Sequence, residues 1–270
     1  MSYTAVLPLQ RPLTAVKYKR QDNLDRPMKF LVLKHAAHEG LGRYMQFARE
    51  KGIELQNADL WKHGYRIPEA TEYEDYDAAI IMGGSQGVND SIKEYPSKEE
   101  EAELIRHFPH PILGHCLGSQ LGTYALGGQV RRGDKQECGF YTLSVTPNGQ
   151  KTIFKGFPKS FPVFQWHGDY ISKLPKDAVL LAGSEYYENQ AFLCYNEAGA
   201  PVIGVLFHPE MDSRAIYQLF EADNKWFLHG NHGNTREQVM SEAKLHDVQL
   251  QGLSRILFEN FVSLVEEHGH

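Results

Sequence analysis

The sequence predicts an α/β fold: a mainly parallel open sheet flanked by helices, with a small antiparallel subsheet and extra helices at the C-terminus. Three observations carry that prediction. From Lys29 onward, short apolar runs of strand length alternate with amphipathic stretches of helix length, the pattern of a parallel sheet with crossover helices. Two of the apolar runs end in glycine-rich turns, at residues 82–87 and 114–118, where a strand must hand over to the next element. Between Cys138 and Leu193 the pattern shifts to short strands and turns.

Residues 1–28 form an N-terminal extension. It holds Pro8, Pro12 and Pro27 and the cations Arg11, Lys17, Lys19, Arg20 and Arg26, a composition that suits a flexible or surface-draped segment. Its charge would suit an acidic partner, but a solvated tail is the better account of it. A single domain over 29–270 follows. Its first strand is the apolar run 29–33. A helix over 41–50 leads to a second strand at 53–55, and 78–81 (Ala-Ala-Ile-Ile) is a third. Ser97, with Glu100 three positions on, has the spacing of a capping box and starts a helix there. Ile112 and Leu113 continue a buried strand that begins at Pro111. From Ser119 onward, Gln120, Leu121, Tyr124, Ala125 and Leu126 have helical spacing. Residues 141–145 alternate polar and apolar, as a half-exposed antiparallel strand does. Phe207 closes a strand over 202–206. From about residue 213 a helical extension begins, with Ile216, Leu219, Phe220 and Phe227 on one face. Thr235 with Gln238 has a second capping-box spacing. Leu253, Leu257, Phe261 and Leu264 then make a long apolar stripe. The stripe packs either on the chain's own core or on a second copy or partner, which would make these helices a homo-oligomer surface.

Composition narrows the function classes. The chain has 270 residues, 41% of them hydrophobic and 23% charged, ordinary proportions for a globular protein. A net charge of −6 offers no electrostatic footprint for nucleic acid. No stretch approaches the roughly 18 uninterrupted apolar residues of a membrane span, and the N-terminus has no apolar core of a signal peptide. The cysteines, Cys116, Cys138 and Cys194, suggest no paired framework. A cytoplasmic, reducing setting suits them. No metal-ligand spacing appears. His229 and His232 lie close in sequence without companion ligands, as in a solvated loop.

The chemistry concentrates in two fragments. Gly114-His115-Cys116-Leu117-Gly118 places a thiol on a strand-to-helix turn. Such an elbow forces strained angles on the nucleophile and admits only small neighbours. It also sets Cys116 at a helix N-terminus, where the dipole favours thiolate. The Leu117 amide points where an oxyanion would form. His208-Pro209-Glu210 closes a later strand, where open α/β sheets place their sites. Glu210 is near enough in sequence to orient the His208 ring, so the set has the nucleophile, base and orienter of acyl transfer. Each fragment alone also fits a blander account: a buried structural cysteine, or a surface turn. The loop Met82-Gly83-Gly84-Ser85-Gln86-Gly87 can aim a second backbone N–H at the oxyanion. It misses the G-x-G-x-x-G spacing of a dinucleotide loop.

These residues resemble the class I (triad) glutamine amidotransferases over roughly 29–212. Residues 114–120 (Gly-His-Cys-Leu-Gly-Ser-Gln) resemble the nucleophile motif, 82–85 the oxyanion loop, 208–210 the base and acid, and 164–169 (Phe-Gln-Trp-His-Gly-Asp) the glutamine-holding segment. The last, with 181–185 and 189–192, is most similar to the stand-alone branch labelled GMP synthase-like, which plant γ-glutamyl peptidases also resemble. The resemblance implies a flavodoxin-like sheet with Cys116 as nucleophile, His208 as general base and acid, and Glu210 as its orienter. It implies Gly84 and Leu117 as oxyanion donors, and Gln120, Trp166, His167, Gly168 and Asp169 as contacts for the amino-acid end of glutamine or a γ-glutamyl compound. The blander alternatives are Trp166 as a core aromatic and Asp169 as a turn cap. Two positions depart from the family. Ser85 stands where many relatives have proline, and His115 where a small or β-branched residue is usual. His115 either perturbs Cys116 electrostatically or points away into packing.

The implied reaction is hydrolysis of a γ-glutamyl amide through a thioester on Cys116, with no metal or organic cofactor. The chain has no phosphate-binding G-x-x-x-x-G-K-[ST]. An amidotransferase of this kind therefore needs a separate synthetase subunit. A self-sufficient γ-glutamyl peptidase and a non-catalytic regulatory protein are the alternatives. The α/β-hydrolase elbow orders its acid before its histidine, whereas here the acid follows. The DJ-1-like proteins share a cysteine elbow but usually lack a late His-x-Glu.

Overall fold

The computed structural model describes residues 26–230 and 233–269. Its core is one nine-stranded mixed sheet in the order β2-β1-β3-β4-β9-β8-β7-β5-β6. The strands are β1 (Lys29–Lys34), β2 (Glu54–Asp59), β3 (Ala78–Ile81), β4 (Ile112–His115), β5 (Gln129–Val145), β6 (Ser160–Lys173), β7 (Val179–Ser184), β8 (Ala191–Tyr195) and β9 (Pro201–Val205). The helices are α1 (Tyr44–Glu50), α2 (Lys98–His107), α3 (Leu117–Ala125), α4 (Ser213–His229) and α5 (Arg236–His268).

From β2 to β9 every pairing is parallel, and from β9 to β6 every pairing is antiparallel. The antiparallel part is thus continuous with the parallel one and as wide. Its length was hidden in sequence because β5 and β6 are long and irregular, with register shifts around residues 129 and 132–137.

The parallel strands are apolar on both faces because both are covered. Phe30 and Val32 point into one core and Leu31 and Leu33 into the other, all fully buried. Ala78 and Ile80 alternate with Ala79 and Ile81 in the same way. Helix α5 covers the first face. Leu253, Leu257 and Phe261 are buried there and Leu264 is partly buried, with Phe261 edge-on to Phe30 at 5.9 Å. The C-terminal stripe therefore packs on the chain's own core, which leaves it unavailable as a homo-oligomer surface. Helix α4 closes a third cluster, in which Ile216, Leu219, Phe220 and Phe227 meet Trp166.

The Thr235–Gln238 capping box forms. The Ser97–Glu100 box does not. Ser97 has helical backbone angles and makes no side-chain cap. Its hydroxyl donates instead to the buried Glu101 carboxylate, 2.7 Å away. A buried acid needing a donor outcompetes an exposed backbone amide that water can serve. The proposed extension over 1–28 lies outside the described residues except for 26–28, and His232 likewise. No described helix is long and apolar enough to cross a membrane.

Candidate active site

The carboxyl ends of β1, β3, β4 and β9 converge on one edge of the sheet, and the chemistry gathers there. Cys116 joins β4 to α3 with φ 48° and ψ −107°, one of two non-glycine residues at positive φ among those described. Its neighbours explain how this strain is tolerated. A Cβ at Gly114 would lie 2.6 Å from the Gly118 carbonyl carbon, and one at Gly118 would lie 2.2 Å from the Ile81 carbonyl oxygen. Only glycine lets the elbow close on β3. The Cys116 amide donates to the Val205 carbonyl at 2.9 Å, tying the elbow to the end of β9. Ser119 and Gln120 donate back to the Cys116 carbonyl as the first turn of α3. The thiol is 6% exposed and faces the Trp166 carbonyl at 3.8 Å.

His208 follows β9, its amide donating to the Phe164 carbonyl at 2.9 Å. Its Nδ1 pairs with Glu210 Oε1 at 2.8 Å. Its Nε2 has no close hydrogen-bond partner among the described residues, and Cys116 is its neighbour on that side. Burial opposes charging this ring. The Glu210 charge, the polar contacts with Cys116 and Glu210 and the Cys116 charge outweigh it, so the His208 pKa lies well above 6.5. Glu210 is fully buried. Burial pushes its carboxyl up, but His208, His115 and the hydrogen bond bring it below the usual range. An imidazolium between a sulfur and a carboxylate is the state this geometry favours.

The loop over 82–87 lies beside the elbow. A Cβ at Gly84 would fall 2.6 Å from His35 Cβ and 2.8 Å from Leu117 Cδ2, so the loop packs against the first residue of α3. At that position a helix has no internal acceptor for its amide. A relay that the sequence did not reveal holds the loop. His35 Nδ1 meets the Gly83 carbonyl at 3.1 Å and its Nε2 meets Glu101 Oε2 at 2.7 Å, with the Tyr95 hydroxyl 3.1 Å from the same nitrogen. Burial lowers the His35 pKa, but the charge and hydrogen bond of Glu101, then Glu39 and the Gly83 carbonyl, raise it overall.

The segment 164–169 meets the elbow through the Trp166 backbone. The Trp166 carbonyl faces the thiol while its ring stacks on Phe227 (5.8 Å, 7°) and meets Phe220 edge-on at 5.0 Å. His167 has both nitrogens engaged, with the Asp169 carbonyl at 3.0 Å and the buried Glu137 at 3.1 Å. Glu137 is the hub of a buried polar cluster with Gln190 and Ser184. Gln120 Nε2 reaches the Asp169 carbonyl at 3.4 Å, and Arg132 pairs with the Asp169 carboxylate at 3.1 Å. A Cβ at Gly168 would strike the Arg132 guanidinium, and one at Gly87 would lie 3.4 Å from Asp169 Oδ2. These contacts tie Gln120, Gly168 and Asp169 together, with the His167 ring locked between Asp169 and Glu137. His115 turns away from the cleft. It packs on Tyr44 (5.4 Å) and places Nδ1 3.6 Å from the second oxygen of Glu210.

The other cysteines differ in kind. Cys138 and Cys194 are buried in apolar surroundings, which raises both thiols, Cys194 to about 12.

Known proteins resemble this chain in sequence and in fold. The family model for glutamine amidotransferase class-I matches residues 44–223. A glutamine-hydrolyzing GMP synthase subunit from Pyrococcus abyssi is 34% identical over 145 residues, 54% of this chain and 74% of the relative. Its counterpart in Pyrococcus furiosus is 33% identical over the same shares. A glutamine amidotransferase from Thermotoga maritima superposes with a TM-score of 0.76 at 30% identity, over 88% of this chain and 99% of that one.

Proposed function

The chain belongs to the class I glutamine amidotransferases, and from that premise we propose that it hydrolyses a γ-glutamyl amide by covalent catalysis on Cys116. The observation that carries the reading is the strained Cys116 at the foot of α3 beside a His208 whose far nitrogen is held by Glu210 at 2.8 Å.

The Cys116 thiolate attacks the side-chain carbonyl carbon of glutamine, and the oxygen takes the charge. Amides of Gly84 and Leu117 receive it, a contribution worth about 2.7–4 kcal/mol per donor in comparable sites. His208, protonated between sulfur and carboxylate, gives its Nε2 proton to the leaving nitrogen. The C–N bond breaks and a γ-glutamyl thioester remains. Water then attacks the thioester and loses a proton to His208, and the thiolate departs to release glutamate. Gln120 and the backbone of 166–169 hold the amino-acid end, and Asp169, neutralised in part by Arg132, receives its ammonium. No step uses a metal or organic cofactor.

Ammonia made in this way would pass to a separate synthetase subunit, as the name of the archaeal relatives suggests. A second reading, a self-sufficient γ-glutamyl peptidase, is supported by one feature. The chain's own α4 reaches the β1–α1 loop, with Asp223 3.7 Å from His38, and that loop carries Glu39 to the same side of Gly83 as His208. Glutamate release from glutamine and from γ-glutamyl dipeptides tests both, with Cys116→Ala as control. Dipeptide cleavage by the chain alone supports the peptidase. Glutamine turnover that rises only with a co-purifying synthetase supports the amidotransferase. Turnover that survives Cys116→Ala would overturn both.

A further inference from the structure

A group of side chains at the lip of this cleft has no part in the reaction above. His38 and Glu39 sit in the loop between β1 and α1, and Asp223 comes from α4. Asp223 has φ −117° and ψ 27°, a break that kinks α4 at this residue. His38 Nε2 lies 3.9 Å from Glu39 Oε1 and 3.7 Å from Asp223 Oδ2, and the three donor atoms all fall within 4.8 Å of one another. Glu39 is 6% exposed, and no hydrogen bond to its carboxylate exists among the described residues. His38 Nε2 is shielded from solvent without a close hydrogen-bond partner among the described residues. A buried carboxylate with no donor is costly, and two carboxylates turned on one imidazole nitrogen leave a place for positive charge.

We propose that His38, Glu39 and Asp223 form a binding site for a divalent transition-metal ion of the zinc class. An imidazole with two carboxylates suits such an ion better than a hard cation, which prefers oxygen alone. Bonds of about 2.0–2.2 Å, with a fourth position left to water, set neighbouring donors about 3.2–3.6 Å apart. The observed separations of 3.7 and 3.9 Å are within a few tenths of an ångström of that. The half-buried Asp223 and His38 can rotate to close the rest.

The position gives the site a consequence. Glu39 Oε2 and His208 Cε1 lie on the same side of Gly83, 2.1 and 3.3 Å from where a Cβ there would be. A bound ion would strap the β1–α1 loop to α4 across the side of the cleft next to His208. It would restrict the passage of the leaving group and act as a brake. The site does not depend on the reaction proposed above, and its test can be made in a protein that cannot turn over.

Zinc titration of Cys116→Ala by calorimetry avoids the thiol, itself a strong zinc ligand. One ion should bind to this site, with magnesium far weaker. Adding Asp223→Asn should weaken zinc by at least about tenfold, as loss of a ligand must exceed the 10–100-fold typical of losing a supporting partner. His38→Gln should do the same, so that either variant decides the matter if the other fails to fold. Equal zinc affinity in Cys116→Ala and in a folded double variant would overturn the site, as would magnesium binding as tight as zinc.

Discussion

Glu101→Gln is the sharpest perturbation of the relay that holds the 82–87 loop, the proposed source of an oxyanion donor. Glu101 is fully buried, its two oxygens engaged by His35 at 2.7 Å and by the Ser97 hydroxyl at 2.7 Å. The amide keeps the shape and the Ser97 bond and removes only the charge. Stranding a buried charge by removing its partner costs about 3–5 kcal/mol. His35 can shed its proton, so a loss near 3 kcal/mol is expected. The sign with pH follows from the raised His35 pKa. The stability it contributes is fully present below the unfolded value of 6.5 and is lost as pH rises through the higher folded value. Urea unfolding of wild type and variant should therefore differ most at a pH below 6.5 and least at an alkaline pH above the raised folded value. Because His35 also holds the Gly83 carbonyl, glutamate release should fall by up to the roughly 10²–10³-fold of a lost oxyanion donor. A stability gap that is the same at both pH values would refute the charged relay. Unchanged turnover in a destabilised variant would refute its hold on the loop.

The remaining expectations are simpler. Cys116→Ala should abolish glutamate release, and His208→Ala should reduce it by several orders of magnitude; full activity in either would sink the assignment. Gly118→Ala drives a methyl into the Ile81 carbonyl at 2.2 Å. The elbow must shift by about 1 Å, so turnover should fall about 10²-fold, with a lowered thermal transition. Leu257→Ala removes a fully buried side chain of α5 from the main core. It should cost about 2–5 kcal/mol by urea unfolding while leaving KM unchanged in the folded protein.

Much of this was readable in the amino-acid sequence, for identifiable reasons. The strand β3 is an unbroken apolar run because it is buried on both faces. The elbow was legible because Gly114 and Gly118 cannot be replaced where the chain turns onto β3. What escaped depends on contacts distant in sequence. Nothing near His35 announces that Glu101 will pair with it, and nothing near Glu39 announces Asp223. Ser97 shows the same limit from the other side, for its local capping signal lost to a buried carboxylate one turn on. The ring of Trp166 fits a substrate contact by motif, yet it turns into α4 because the aromatic residues Phe220, Trp226 and Phe227 offer it a dry surface.

His115, the departure beside Cys116, faces Glu210 and Tyr44. It shares Glu210 with His208, and the two rings are driven in opposite directions. His208, 2.8 Å from one oxygen, has its pKa raised. His115 stands 3.6 Å from the other, and burial lowers its pKa, against Glu210 and with the repulsion of His208. A fully buried carboxylate can balance one imidazolium, and a second would be uncompensated. The proton therefore goes to the ring in hydrogen-bond contact, and the other stays neutral. A neutral His115 leaves the Glu210 charge to the histidine that faces Cys116. The residue thus fills space against Tyr44, as a β-branched side chain would, without drawing the proton away from the site. His115→Val should accordingly leave the pH profile of glutamate release in place. A profile displaced by a full unit would mean that the two rings compete for the proton.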